Sequence, residues 1–299
     1  MKKLLVHLHL YYHDQVDYFI EKMGNITLAD WDLVVTYTQK NDDVEEKLKK
    51  FKPDVILRAT KNIGYDIWPF IEVIRDTNLD DYEYVMKLHT KRSTPPVKIN
   101  VVPMEGFMWR ETLVNSLLEN KEHFTKLIDK FDSNPKLGMA SSLLTYTRRD
   151  KFDEYVGKEL SLLGLKKRAK YTFMGSMFLM RAQALKPLQG EMVYEAKFRD
   201  VTPESGIVIS MTHIYERLLS SLPVNYGLKH LPVLPEKEFK NKIHATRMGE
   251  KISQFFLLIE RRGVESKKYI RVFGIKVYES KTGKYPEYRK ILEKLYPNG

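Results

Sequence analysis

Apolar positions along the first sixty residues change period in a regular way. Residues 3–12 alternate toward a strand, and Asp14–Met23 carries Val16, Phe19, Ile20 and Met23 at helical spacing. Trp31–Thr38 (WDLVVTYT) reads as a second strand, Val44–Phe51 as a charged helix and Asp54–Arg58 as a short third strand. Strand, helix, strand, helix, strand at this spacing predicts a parallel sheet with right-handed crossovers, a fold that presents chemistry at the carboxyl ends of its strands.

Further along, Tyr82–Leu88 predicts a buried strand, because Tyr84, Val85, Met86 and Leu88 are apolar or aromatic and the next residues turn abruptly polar. The loop Thr94-Pro95-Pro96 is expected to interrupt regular structure, Phe107–Leu118 and Lys121–Phe131 to form helices, and Leu137–Ser142 to form a strand. Residues 148–170 read as helix or loop, and the charge and glycines (Gly157, Gly164) within Lys151–Lys170 mark a candidate lid. Tyr171–Arg181 reads as one apolar strand interrupted by Gly175-Ser176, either a bulge or a close approach of backbone to a ligand. Val208–Leu222 places Ile209, Met211, Ile214, Leu218 and Leu219 on one helical face. The whole predicts an α/β domain over residues 1–228, with a mainly parallel central sheet flanked by helices, and an extension over 229–299.

Charge sharpens that division. The 299 residues carry a formal net charge of +11, which points to an anionic partner such as a nucleotide, a nucleic acid or a membrane face. From Lys229 onward Lys and Arg crowd the chain, interleaved with Phe255, Phe256, Leu257, Leu258, Ile259, Tyr269, Ile270, Val272, Phe273 and Ile275. That mixture predicts a basic amphipathic segment on an anionic membrane surface. The alternative is a helix and a strand packed on the domain with a solvated basic face. No apolar run approaches the roughly 18–20 residues that span a bilayer, and MKKLLVHLHLYY lacks a small-residue cleavage site. A cytoplasmic protein is expected, associated peripherally with the inner face of the cell membrane. The absence of cysteine excludes disulfides, thiolate metal sites and cysteine nucleophiles.

Candidate chemistry concentrates at the end of the strand at 82–88. His89, Thr90, Lys91, Arg92 and Ser93 place two fixed cations, an imidazole and two hydroxyls in five residues, a set that suits phosphate oxygens. A solvated basic turn is the competing reading. Upstream, Asn62-Ile63-Gly64-Tyr65-Asp66 allows a tight turn with both polar side chains facing one pocket, and Asp66 is equally placed to cap the helix opened by Ile67, Trp68 and Phe70. His213, Glu216 and Arg217 fall within one helical turn. His7 and His9 share a strand face but lack a carboxylate at fixed spacing, and HExxH, GxSxG, Walker and GxGxxG signatures are absent.

VHLHLYY at 6–12, NIGYDIWPF at 62–70, KLHTKRS at 87–93, FMGSMFLMRAQAL at 173–185 and THIYERLLS at 212–220, in this order and spacing, resemble the rhamnan synthesis F family of bacterial polysaccharide glycosyltransferases. YIRVFGIKVY at 269–278 is similar to an ending common in cell-surface polysaccharide transferases. The resemblance implies a GT-A-like nucleotide-binding sheet and transfer of a hexose from a nucleotide-sugar donor to a growing cell-surface polysaccharide or lipid-linked glycan, as in lipopolysaccharide, O-antigen or capsule synthesis. Where such enzymes carry Asp-x-Asp for a metal ion, this chain has Leu88-His89-Thr90-Lys91. No cofactor is therefore expected, with manganese or magnesium the open alternative, and His89, Lys91 and Arg92 are expected to neutralise the leaving diphosphate. The remaining donor contacts implied are Asn62, Gly64, Asp66, Lys87, Thr90, Gly175 and Ser176, with Met177 and Phe178 as walls. Glu216, His213 and Asp200 are the candidate bases, with Glu204 a rival. A non-catalytic scaffold of a polysaccharide assembly complex is the alternative, and a nucleic-acid-binding protein ranks below it, since no nucleic-acid-binding module is present.

Overall fold

In a computed structural model of the chain, the described residues are 2–99, 102–148, 152–199, 210–234 and three strands at 257–262, 267–272 and 275–279. Two compact units divide the chain, Met1–Glu236 and Lys237–Gly299. The first alternates as its sequence periods require: β1 Lys2–His9, α1 Val16–Met23, β2 Trp31–Tyr37, α2 Asp42–Phe51, β3 Ile56–Ala59, α3 Ile67–Asp76 and β4 Tyr82–His89. The hairpin β5 Ser93–Ile99 and β6 Val102–Gly106 follows, then α4 Met108–Leu118, α5 Lys121–Ser133, β7 Leu137–Ser142, β8 Tyr146–Arg148, α6 Asp153–Leu162, β9 Tyr171–Phe173, β10 Phe178–Arg181, α7 Met211–Asn225 and β11 Lys229–Val233.

Seven strands form the central sheet in the order β11-β7-β10-β4-β1-β2-β3. β10 runs antiparallel to both of its neighbours and the other strands are parallel, so the sheet is mixed but mainly parallel. Alternation along each strand sorts side chains between two helical layers. Leu4, Val6 and Leu8 of β1 and Tyr84, Met86 and Leu88 of β4 join one core with α1, α2, α4 and α5. Leu5 and Val85 join the other with α3, α6 and α7. Asn41 and Asn120 accept the Val44 and His123 amides, capping α2 and α5.

Several expectations change. Lys229–Val233 is the edge strand β11, paired with β7, so the first unit continues past residue 228 to Glu236. Thr94-Pro95-Pro96 lies inside β5 rather than in a loop. The prolines sit where the β5–β6 register shifts between Ser93 and Val97, a place where a missing donor is tolerated. Tyr171–Arg181 is two strands, not one: β9 pairs with β8 in a separate ribbon while β10 enters the central sheet. The candidate lid is packed down. Phe152, Val156 and Leu160 are buried, Asn225 Oδ1 accepts the Lys166 and Lys167 amides at 3.1 and 2.9 Å, and Ser221 Oγ accepts the Ala169 amide at 3.0 Å. Residues 208 and 209, expected to open the last helix, lie outside the described residues, and α7 starts at Met211.

In the second unit, β12 Leu257–Arg262, β13 Lys267–Val272 and β14 Ile275–Glu279 form an antiparallel three-stranded sheet. Leu, Ile, Val and Tyr at these positions favour strand over the helix weighed from the charge pattern. Phe255, Phe256 and Phe273 lie outside the described residues. Among the described residues no helix is long and apolar enough to cross a membrane.

Candidate active site

The site starts as a break in the core. On the α3 side of the sheet the inward positions of β1 read Leu5, His7, His9, and those of β4 read Val85, Lys87, His89. The register sets His7 beside Lys87 and His9 beside His89, with Thr36 of β2 flanking His9. A face that begins apolar therefore becomes polar toward the carboxyl ends of the strands. This is also where the sheet order reverses, β1 leading to β2 on one side and to β4 on the other, the position at which open α/β sheets hold ligands.

Lys87 is fully buried, and three oxygens surround its ammonium: Asp66 Oδ2 at 2.5 Å, the Ser176 carbonyl at 3.0 Å and Ser176 Oγ at 3.4 Å. Ser176 Oγ donates to Asp66 Oδ2 at 2.6 Å. The helix-cap expectation for Asp66 thus gives way to an ion pair. Asp66 stands at the start of α3, yet its side chain makes no cap hydrogen bond and turns to Lys87 instead.

Two unusual turns bring these groups together. Gly64 and Tyr65 have φ of 65° and 51°, and Gly175 and Ser176 have φ of 93° and 46°. Each turn is a pair of left-handed residues in which one member carries a side chain, a conformation held only when its surroundings enforce it. The surroundings are tight. A Cβ on Gly64 would lie 2.7 Å from Trp68 Cβ, and one on Gly175 would lie 2.6 Å from Leu113 Cδ1.

Burial governs the titration of this cluster. It lowers His7 and His89 well below the ordinary imidazole range, with Lys87 adding to the effect and Asp66 opposing it, and it brings His9 down to about 4. The three rings are therefore neutral at pH 7, with His7 Nε2 and His9 Nδ1 hydrogen-bonded to Thr36 Oγ1 at 2.9 and 3.0 Å. Burial would raise Asp66, but His89, Lys87 and the hydrogen bonds from Lys87 and Ser176 hold it well below the carboxylate range. With His89 neutral, the Lys87 ammonium is the charge that pairs with it. Lys87 itself is lowered by burial and partly restored by Asp66.

The exits of β1 and β4 are stapled. Thr90 Oγ1 accepts the Tyr11 and Tyr12 amides, both at 3.0 Å, and the buried Gln15 amide exchanges hydrogen bonds with the Lys91 backbone. Above them opens a cleft of about 520 Å³, within the range of small-molecule sites. Of the residues singled out from sequence, Asn62, Asp66, His89, Thr90, Lys91, Arg92, Ser176, His213 and Glu216 line it. Their roles are unequal. Thr90 is occupied as a staple, and Arg92 pairs with Asp14 at 2.6 Å. The Lys91 ammonium lies 3.9 Å from the Trp109 ring centroid and has no carboxylate partner among the described residues.

On α7, Glu216 Oε1 accepts the Gly175 amide at 2.6 Å, and Oε2 accepts from the buried Arg217 at 3.1 Å. His213 Nδ1 lies 2.6 Å from Ser210 Oγ, leaving Nε2 without a partner among the described residues. Asp200 and Glu204 lie outside the described residues. Lys87 supports the cleft from beneath, and Gly64 and Gly175 shape its turns. Met177 and Phe178 are not walls. Past the Gly175-Ser176 turn the chain enters the sheet and both side chains are fully buried, so Met174 lines the cleft instead.

Sequence assigns no site role to Tyr11, Tyr12, Trp109, Thr212 or His9, all of which line the cleft. His9 and the tyrosines carried a signal, since they leave the first strand of a parallel sheet beside its switch point. Thr212 lies in THIYERLLS but sequence assigns it no role there, and Trp109 carried no signal, being a single position on a helix.

The described residues do not fit a divalent cation. Asp66 and Glu216, the carboxylates of the cleft, already accept hydrogen bonds from cations, and the Lys87 and Lys91 ammonium groups would oppose a further positive charge. No cluster of three His, Asp or Glu side chains able to hold a metal occurs among the described residues.

Comparison with known proteins gives a family match. The model of the family described as rhamnan synthesis protein F matches residues 1–228. The uncharacterised protein WxcX of Xanthomonas campestris pv. campestris is 24% identical over 232 residues, covering 74% of this chain and 31% of WxcX. The chain thus spans about a third of the length of the curated relatives it matches. Among solved structures, S. aureus TarS is similar at 9% identity and a TM-score of 0.41, covering 79% of this chain and 58% of that one. The glycosyltransferase GlyE of Streptococcus pneumoniae is similar at 9% identity and a TM-score of 0.37, covering 85% and 50%.

Proposed function

The chain belongs to the rhamnan synthesis protein F family, and from that premise we propose that it is a glycosyltransferase, moving a hexose from a nucleotide-sugar donor to a growing cell-surface polysaccharide or lipid-linked glycan without a divalent cation. The observation that carries this reading is the cleft at the carboxyl ends of β1 and β4, where Lys91 alone of the two lining cations, Lys91 and Arg92, lacks a carboxylate partner among the described residues.

In a displacement at the anomeric carbon, an acceptor hydroxyl oxygen forms the new bond while the bond to the donor diphosphate breaks. Negative charge collects on the departing nucleoside diphosphate, and Lys91 is the group to meet it. The acceptor proton passes to His213 Nε2, with Nδ1 oriented by Ser210. Glu216 holds the Gly175 turn through its amide rather than acting as the base. The Lys87–Asp66–Ser176 cluster fixes the two left-handed turns that frame the donor, and Asn62 contacts it from the rim. The basic, aromatic chain beyond residue 236 is suited to the anionic inner face of a membrane, where a lipid-linked acceptor would be presented.

The test is release of nucleoside diphosphate from a panel of nucleotide-sugars in the presence of a membrane extract containing acceptor. His213→Gln should lower turnover by roughly 10²–10⁴-fold while the variant melts like wild type. Undiminished turnover in His213→Gln would refute its role, and loss of folding rather than turnover would assign the residue to structure.

A further inference from the structure

Three residues on three different elements line the same cleft, and each carries a buried polar group with no hydrogen-bond partner among the described residues. These groups are both ring nitrogens of His89 at the end of β4, the indole Nε1 of Trp109 on α4 and the Oγ1 of Thr212 on α7. Protein interiors satisfy the great majority of such groups, so three around one cavity require an account. His89 and Thr212 are 3% and 5% exposed, so bulk water does not supply the missing bonds. His89 Nδ1 comes no nearer to Asp66 Oδ2 than 3.5 Å, which leaves it outside the hydrogen-bonded Lys87 cluster.

The identity of the groups narrows the ligand. An indole offers one donor, a hydroxyl offers a donor and acceptors, and a neutral imidazole offers one of each. Phosphate oxygens would accept from the first two and leave the imidazole acceptor unmatched. Sugar hydroxyls both donate and accept, and match all three. A Cβ at Gly175 would lie 2.9 Å from Trp109 Nε1, so only glycine leaves room for the indole edge at this turn. The face of the same indole carries the Lys91 ammonium, so a site for neutral hydroxyls adjoins a site for negative charge, the order of groups in a sugar diphosphate.

We infer that His89, Trp109 Nε1 and Thr212 Oγ1 form the subsite that reads the hydroxyls of the donor's sugar ring, and that Trp109 and Thr212 determine sugar specificity. This rests on the reading of the cleft as a nucleotide-sugar site. Thr212→Val and Trp109→Phe test it, the first removing a hydroxyl at constant shape and the second removing the indole N–H while keeping an aromatic face for Lys91. Calorimetric titration would compare UDP, GDP and dTDP with UDP-glucose, UDP-galactose, GDP-mannose and dTDP-rhamnose, alongside melting of the unliganded proteins. Thr212→Val should melt at or above the wild-type temperature and Trp109→Phe a few degrees below it, from the smaller ring. Each should bind the nucleoside diphosphate within about twofold of wild type and lose roughly 3–10-fold in affinity for the nucleotide-sugar, the scale of one hydrogen bond. Equal losses for both ligands, or no loss for either, would overturn the subsite while leaving the donor site standing. Failure of the wild type to bind any member of the panel would overturn both.

Discussion

Replacing Asp66 by Asn should turn Lys87 into a visible titration. In the wild type the Lys87 side chain has no exposure, and its ammonium is surrounded by Asp66 and two oxygens of Ser176. With a neutral amide in place of the Asp66 carboxylate, the buried charge would touch only neutral oxygens and keep only the more distant Glu216 carboxylate, a change that costs about 3–5 kcal/mol. A ceiling exists because the ammonium can surrender its proton. From its ordinary value of 10.5 to pH 7 that step costs about 5 kcal/mol, at about 1.36 kcal/mol per pH unit. In the variant the folded pKa is depressed below the unfolded one, so the unfolded chain holds a proton that the folded chain lacks. Stability must then rise with pH, by up to about 1.4 kcal/mol per unit, until it levels off near 10.5. Lys87→Met should cost less, about 2–3 kcal/mol, because Asp66 keeps 17% exposure and the Ser176 hydroxyl. The double variant should cost less than the sum of the two. Urea unfolding at pH 7, 8, 9 and 10 measures all of this through the midpoint at constant m. A cost below about 1 kcal/mol for Asp66→Asn, or a flat pH dependence, would refute the buried ion pair.

The other expectations concern acid, backbone and the leaving group. His7, His9 and His89 have folded pKa values below their unfolded ones, so their contribution is complete above about pH 6.5 and is lost as pH falls. His9, brought down to about 4, should account for about 3 kcal/mol of that loss, which His9→Gln would remove from the pH profile of urea midpoints. Gly175→Ala should destabilise by about 2–4 kcal/mol, through its φ of 93° and the contact with Leu113, whereas Gly164→Ala, at φ 70° in open space, should cost only about 1 kcal/mol in thermal melts. Lys91→Ala should weaken nucleoside diphosphate binding about tenfold or more while lowering stability by no more than about 1 kcal/mol, since its contact among the described residues is the Trp109 ring and not an ion pair.

The architecture was legible because its strands and helices obey local periodicity, and the boundaries of β4, α4, α5 and β7 follow directly from it. The strand exit at 89–92 was legible for the same reason, being an abrupt polar run after an apolar strand. Lys87 also left a trace, a lysine between Met86 and Leu88 on a buried strand, but its partner could not be read. Asp66 is 21 residues away and Ser176 is 89, and only the fold joins them. Such pairing across elements explains why Asp66 looked like a helix cap. It also explains why Arg92 looked free, when Asp14 of the β1 exit neutralises it. Met177 and Phe178 were misplaced because a left-handed turn at Gly175-Ser176 separates two strands that read as one. Trp109 and Thr212 required the cleft itself to be seen.

Binding of nucleoside diphosphate with and without manganese, measured by calorimetry on wild type and Lys91→Ala, bears most directly on the central claim. Binding that survives chelation of divalent ions and collapses in Lys91→Ala is the expected result. Binding that requires manganese, or that is indifferent to Lys91, would contradict a cleft in which a lysine meets the leaving diphosphate.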